Sequence, residues 1–369
     1  MLKAVLKYDF LKKVPVFLLM LFIIFGTKFC IAHNFDNEYV QIENQFACSV
    51  TGLNPGEAKN AIQQSTDKML IDALHNYSGV LCDEKVNKIT QVSSEVISAI
   101  ERCVELAYDN INSANGNENR YTYPSEYFTS NQEAYKNLSY PFAVGNMSWS
   151  NFFTLCDMNL MIYFAFIVVA VIFVRPYEDG ICDADKLTKY GVNYHCIRFI
   201  FFLVIIITVS FINFATDIMI SDVLNSVSDI FSASIRGTER FCDSFSDMTV
   251  FTYLIYSLIN QICGLINMYC FFFLLASIVK NMYRFSVISV TAMLFLNIIR
   301  ITLPALSVFI PFGATDIPYT ISQAVIISGL SSNNIIPIES FTVAAGMCII
   351  AICKIISPKR NLRKYKTKI

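Results

Sequence analysis

The chain has 369 residues, and only 15% of them are charged, whereas soluble domains carry about 25%. A mean hydropathy of +0.49, together with 31 phenylalanines, indicates a polytopic membrane protein. The net charge of −1 excludes a global basic field, so the composition gives no direct evidence for nucleic-acid binding.

The N-terminal segment has the organisation of a signal peptide. A lysine-rich start precedes an apolar run from Val14 to Gly26, and the small-x-small sequence Cys30-Ile31-Ala32 follows. This pattern predicts that residues 1–32 are a cleaved signal peptide. Lys28 interrupts the approach to the cleavage site, and an uncleaved N-terminal anchor helix is the alternative. Both interpretations place residue 33 onward outside the cytoplasm.

The exported segment, residues 33–151, is acidic and is predicted to hold two amphipathic helices. Residues 36–136 contain 15 acidic and 7 basic side chains. The sequence Asn54-Pro55-Gly56-Glu57 has the features of a helix start, and apolar residues then recur at helical spacing from Ala58 to Leu74. A second apolar stripe runs from Val86 to Val104. Two such helices should pack as a small hairpin, which a polar linker follows.

Cysteines in and around this segment are disulfide candidates, because an exported domain meets an oxidising compartment. Cys48, Cys82 and Cys103 flank or lie on the two predicted helices. Three is an odd number, so one of them should pair elsewhere or stay free. Cys156 and Cys242, predicted at the same membrane face, are further candidates. The sequence leaves the connectivity open.

Five apolar blocks follow, and about 20 residues suffice to cross a bilayer core. They are predicted transmembrane helices over residues 152–174, 199–215, 248–279, 285–310 and 341–356. The predicted fold class is therefore an all-α polytopic membrane protein: a small helical, disulfide-bearing exported domain, a transmembrane bundle over 152–356 and a basic tail over 357–369.

The charges of the loops predict how the bundle is oriented. Residues 175–198, 280–284 and the C-terminal tail carry Lys and Arg, whereas 216–247 contains six acidic residues and two Arg. Positive loops stay in the cytoplasm. We therefore expect a multi-pass cell (inner) membrane protein with its C-terminus in the cytoplasm and residues 33–151 outside. The Pro- and Gly-broken region 311–340 is predicted as an outer loop or a re-entrant segment.

Polar side chains within or beside the spans are the candidate functional residues. Arg300 lies inside an apolar block, where a buried arginine needs a partner or water. Asp157 and Asp217 fall near the outer face, so one hypothesis is an Arg–Asp pair that lines a polar cavity. The alternative is that Arg300 lies near a helix end and snorkels to the surface. Asn260 and Gln261 either line a pore or hydrogen-bond between helices.

No metal, cofactor or catalytic site is predicted. Cys182, His195 and Cys196 share one predicted loop with Asp183 and Asp185, but their spacing is not that of a zinc module. Free, reduced thiols in a cytoplasmic loop are the simpler interpretation. No acid/base or nucleophile constellation is present, so we expect a protein that is not an enzyme.

The order of these segments resembles a known family. The membrane block from Met158 through the charged loop 175–198 to Phe214 follows a cysteine-bearing exported segment. This layout is similar to that of VirB6/TrbL-like inner-membrane subunits of type IV secretion systems. The resemblance implies a non-enzymatic channel or scaffold subunit of an envelope-spanning transport machine. Its expected partners are the lipid bilayer and other membrane subunits of the complex.

Two other functions remain open at this stage. A small-solute transporter or channel would need a polar site near the middle of the bilayer, for which Arg300 and Asn260 are the candidates. A surface membrane glycoprotein would bind a partner through residues 33–151, and three glycosylation acceptor triplets begin at Asn76, Asn137 and Asn146.

Overall fold

The computed structural model describes residues 5, 10–34, 37–50, 53, 55–116, 151–152, 155, 160–179, 191–225, 231, 249–302 and 342–356. Helices form all the regular elements of this described part, as the all-α prediction requires. In chain order they are α1 (Val14–His33), α2 (Asn37–Val50), α3 (Pro55–Asn76), α4 (Val80–Gly116), α5 (Leu160–Val169, continued by a π-helical turn Ala170–Val174 and by Arg175–Glu178), α6 (Gly191–Asn225), α7 (Val250–Ile278), α8 (Met282–Thr302) and α9 (Thr342–Ile356).

Helices α2, α3 and α4 form a small head. The predicted hairpin is present as α3 and α4, which turn over at Gly79, where a φ of 64° favours glycine. Helix α2, which the sequence did not indicate, packs against both of them. Buried apolar side chains from all three helices share one core, among them Phe46, Ile62 and Val92. The linker predicted after α4 lies outside the described residues.

The head is continuous with the apolar helices. Phe214 of α6 and Val250, Tyr253 and Leu254 of α7 belong to the same buried cluster as the head core. Phe152, which precedes α5, joins this cluster through an edge-to-face contact with Phe214 at 6.3 Å between ring centroids. One end of the helix bundle is therefore covered by α2–α4, so the exported segment and the bundle are not independent units.

Three described helices combine the length and the apolar composition that a bilayer crossing demands: α1, α6 and α7. Helices α6 and α7 fall on the second and third predicted spans. The other predicted spans correspond, within the described residues, to shorter apolar helices over Leu160–Val174, Met282–Leu296 and Thr342–Ile356. The number of five spans therefore remains a prediction, and α1 is a candidate span that cleavage of a signal peptide would remove.

Ring contacts fix the directions of the helices. Phe17 of α1 lies 6.1 Å from Phe202 of α6, and nearer the other ends of the two helices Lys28 contacts Asp217, so α1 and α6 run parallel. Phe199 near the start of α6 lies 4.8 Å from Phe273 near the end of α7, so these two helices run antiparallel. Helix α5 also opposes α6, so α1, α5, α6 and α7 alternate in direction.

Helix α6 is longer than its predicted span. It begins at Gly191, so Arg198 is a buried helical residue. The prediction that Arg198 belongs to the loop 175–198 is therefore wrong. Its guanidinium donates from Nη2 to the carbonyl oxygen of Ile172 and lies 5.2 Å from the ring centre of Phe173. Ile172 belongs to the π-helical turn of α5, where wider hydrogen bonds disturb the α-helical pairing of carbonyl groups. The buried guanidinium of Arg198 therefore has a hydrogen-bond partner on α5.

Candidate functional site

Among the described residues, an ion pair lies buried in the apolar bundle between α1 and α6. Lys28 lies in the second half of α1 and is only 2% exposed. Its Nζ donates to both carboxylate oxygens of Asp217, at 2.7 Å each, and to Oδ1 of Asn213 at 3.0 Å. A lysine in an apolar helix normally extends towards the surface. Here the ammonium remains inside because a carboxylate and an amide oxygen replace its water.

Helix α6 presents the two partners of Lys28 from one face. Asn213 and Asp217 are four residues apart, a spacing that places their side chains one above the other. Asn213 Nδ2 donates to Oδ2 of Asp217 at 3.3 Å, and both residues are at most 1% exposed. Burying a charge is costly unless it is paired and hydrogen-bonded. We name Lys28, Asn213 and Asp217 the buried ion-pair cluster.

Helix α7 contributes a second polar face. Only some of its hydrogen-bonding groups have partners among the described residues. Ser257, Asn260, Gln261 and Asn267 are all buried, at spacings that place them on neighbouring positions of one side of the helix. Both side-chain atoms of Asn260 have no hydrogen-bond partner among the described residues, and neither does Oε1 of Gln261 or Oδ1 of Asn267. Buried amides without partners are unfavourable, so each is a place where a ligand, water or another polar group would bind.

The two polar features have different chemical capabilities. The members of the buried ion-pair cluster hydrogen-bond to one another and join α1 to α6. The amides of α7 have donor and acceptor capacity that no described residue uses, and they suit an uncharged polar group. Within the described part of the chain no group of three or more His, Cys, Asp or Glu side chains could hold a metal ion. Neither feature contains a nucleophile held beside a general base.

The structure places the predicted site residues unevenly. Asn260 and Gln261 are buried on α7, as their position in the third predicted span implies. Asp217 lies within α6 and not just beyond a span, and the cation that pairs with it is Lys28. Arg300 belongs to α8, but its side chain lies outside the described part of the structure, as does the whole of Asp157. The hypothesis of a pair between Arg300 and either Asp157 or Asp217 therefore stays a prediction.

The disulfide prediction gains no support from the described residues. Cys82 is buried, and its Sγ approaches the carbonyl oxygen of Ala73 at 3.9 Å without forming a bond to a described cysteine. Cys48 lies on α2 and Cys103 on α4, with side chains outside the described part, and Cys156 and Cys242 fall wholly outside it. Pairing that involves these four positions stays a prediction.

Another pair of thiols lies in the apolar bundle. Cys270 of α7 and Cys348 of α9 approach to 3.7 Å between their sulfur atoms, which is a contact and not a bond. Both belong to the same buried cluster as the surrounding phenylalanines. This environment agrees with their behaviour as packing residues.

Sequence reasoning missed Asn213 and did not assign a partner to Lys28. Two features of the sequence could have indicated this cluster. One is a lysine that interrupts an apolar helix, and the other is an amide four residues before an acid on a second apolar helix. An intramembrane charge needs a counter-charge, so Lys28 and Asp217 were plausible partners. Sequence alone could not choose Asp217 over the other acids predicted near the same face.

Comparisons with known proteins do not assign a function. No family model, no curated protein and no solved structure matches the chain. The function is therefore inferred from the geometry of the chain.

Proposed function

We propose that this chain is a non-enzymatic integral membrane subunit of an envelope-spanning transport machine, of the kind that the type IV secretion resemblance implies. The proposal combines an apolar bundle that contacts lipid with a head that contacts other subunits. It treats the protein as a scaffold or channel component and assigns it no chemical step.

One observation carries the proposal: the tip of the head is apolar and exposed. Around the turn that joins α3 to α4, large apolar side chains face outward, namely Ile71, Leu74, Tyr77, Val80 and Leu81. The exposed fraction reaches 72% for Val80. Clustered exposed apolar side chains, rimmed by polar residues, mark protein or membrane contact sites. We name these five residues the head tip.

The rest of the head has a different surface chemistry. Lys59 and Glu101 form an exposed ion pair at 2.6 Å, and Glu38 accepts from Lys85 and, at 3.0 Å, from Lys88. The ammonium of Lys85, followed by that of Lys88, holds the pKa of Glu38 below its usual range. Charged and hydrogen-bonded faces of this kind are suited to water. The head tip is thus a local exception, which favours a specific contact there.

Co-purification from native membranes tests the proposal. The full chain should carry other envelope subunits, including an assembly ATPase, through detergent extraction and affinity purification. Leu74→Glu combined with Leu81→Glu should remove them and leave the chain monodisperse, because a charge in an apolar contact is desolvated without a partner. Asn87→Glu, which adds a charge at an exposed polar position of α4, is the matched control. A wild-type chain that purifies alone from its native membrane would contradict the assembly role.

A small-solute transporter is the second candidate. The observation that favours it is the amide of Asn260, which has no hydrogen-bond partner among the described residues. A polar solute that crossed the bundle along α7 would meet Ser257, Asn260 and Gln261 in turn. Asn260→Leu should then abolish uptake into proteoliposomes while the protein stays folded. Ile259→Leu, on the more exposed side of the same helix turn, serves as the control. Wild-type uptake in the Asn260→Leu variant would exclude this route.

A further inference from the structure

We infer that α1 is a permanent, uncleaved span of the bundle, held in place by the ion pair between Lys28 and Asp217. The signal-peptide pattern predicts the opposite, namely removal of residues 1–32. The inference does not depend on which transport role the protein has, because it concerns only how the chain is processed and packed.

The ion pair is the first reason. Asp217 is completely buried, and both of its carboxylate oxygens accept from Lys28 Nζ at 2.7 Å. Removal of α1 would take away this cation and leave the carboxylate of Asp217 without its ion pair to Lys28. Breaking a buried ion pair from one side is strongly destabilising. A segment that neutralises such a charge is an integral part of the folded protein.

Aromatic packing supplies a second point of attachment, near the beginning of α1. Phe17 is 4% exposed and lies 6.0 Å from Phe164 of α5 and 6.1 Å from Phe202 of α6, measured between ring centroids. Ile24, one turn before Lys28, is also buried. The opposite side of α1 exposes Leu18 and Phe22. One polar and one aromatic contact thus fix the register of α1, while its other face is apolar enough to contact lipid.

The predicted cleavage sequence is a poor protease substrate in this fold. Cys30-Ile31-Ala32 forms the last turn of α1, and Ala32 is completely buried. The helix is closed beyond it, because the backbone N–H of Asn34 donates to the carbonyl oxygen of Ile31 at 3.0 Å. Proteolysis favours exposed and poorly ordered backbone. This segment would have to unfold, and Ala32 would have to leave its contacts, before it could be cut.

The charges at the helix ends fit a retained α1. Lys12 and Lys13 precede α1, and because α1 and α6 run parallel, they lie towards the bundle end where α6 begins. Helix α5 ends there, with Arg175 in its last turn, and α7 meets α8 there beside Lys280. Basic residues therefore gather at one end of the bundle and the acidic head covers the other. Such segregation is what the positive-inside rule requires of a chain whose first span is α1.

The intact mass of the full chain tests the inference directly. The chain is produced with one tag before Met1 and a second tag after Ile369, and it is purified from membranes through the second tag. We expect the mass of the complete tagged chain and retention of the first tag. A product that begins near His33 would overturn the inference, whether or not a fragment containing α1 remains bound.

Charge exchange tests the role of the ion pair independently of processing. Lys28→Asp and Asp217→Lys should each lower the yield of monodisperse protein by on the order of tenfold, because each brings two like charges together in a buried site. The combined variant should recover most of this loss. Thr27→Ala and Thr208→Ala, at exposed positions of α1 and α6, are the controls and should match the wild type. Single variants that behave like these controls, or a combined variant no better than the singles, would overturn the role of the pair.

Discussion

Replacing Lys28 by methionine removes the cation of the buried ion-pair cluster and keeps most of the volume of the side chain. Asp217 then loses two contacts of 2.7 Å and retains its 3.3 Å hydrogen bond from Asn213. Breaking a buried pair from one side costs about 3–5 kcal/mol, because it leaves a charge that the interior cannot solvate. At roughly 2–4 °C per kcal/mol, the value for domains of about 150–250 residues, Lys28→Met should lower the Tm by roughly 6–20 °C.

The double variant Lys28→Met/Asp217→Leu separates the pair from the packing around it. It leaves no buried charge, and apolar replacement of a buried pair is often neutral or stabilising. We therefore expect its Tm to return to within about 3 °C of the wild type, which is roughly 1 kcal/mol. Thermal unfolding in detergent, followed by far-ultraviolet circular dichroism, measures all the variants, with Thr27→Ala as the control. If the Tm change of the double variant equals the sum of the changes in Lys28→Met and Asp217→Leu alone, the two residues are not coupled.

Three further predictions concern the head and the orientation of the bundle. The folded-state pKa of Glu38 is lowered from its usual 4.5, so its ion pairs should stabilise the head above about pH 4.5 and lose that contribution as the pH falls through the folded-state pKa. Glu38→Gln should cost at most about 1 kcal/mol at pH 7 and less at about pH 3, measured by thermal unfolding. Phe46 is completely buried in the head core, so Phe46→Ala should reduce the free energy of unfolding by about 3–5 kcal/mol in a denaturant titration. Ile71→Ala, at the exposed head tip, should change it by less than about 0.5 kcal/mol. Cys353 is exposed on α9, so as the sole remaining cysteine it should resist a membrane-impermeant maleimide in intact cells and react once the cells are permeabilised.

Each of these predictions has a contrary outcome. An equal effect of Glu38→Gln at both pH values would mean that its partners do not favour the charged carboxylate. Equal losses at Phe46 and Ile71 would contradict the position of the head core. Labelling of Cys353 in intact cells would reverse the predicted orientation of the C-terminus.

Much of the fold could be predicted from local sequence. The apolar stripes of α3 and α4 have helical spacing, and the hairpin that they form is present. The long apolar runs coincide with α6 and α7 because a run of that length with few charges favours a buried or lipid-facing helix. Helix α2 was not predicted, because its apolar residues, such as Ile42 and Phe46, are interspersed with acids and amides.

The start of α6 could not be predicted from the local sequence. Arg198 looks like a loop cation because charged residues normally end apolar runs. In the structure it lies within the helix, because the π-helical turn of α5 offers it the carbonyl oxygen of Ile172 and the ring of Phe173. These partners belong to another helix, so the sequence around Arg198 does not indicate them.

The sequence by itself determined the class of this protein: apolar helices, an acidic N-terminal segment and basic loops, all of which follow from composition and periodicity along the chain. Only the tertiary structure decided which polar groups meet. Lys28 and Asp217 are separated by 189 positions, and their pairing depends on the parallel register of α1 and α6. A charge in an apolar segment shows that a counter-charge is needed. Which residue supplies the counter-charge depends on how the helices pack.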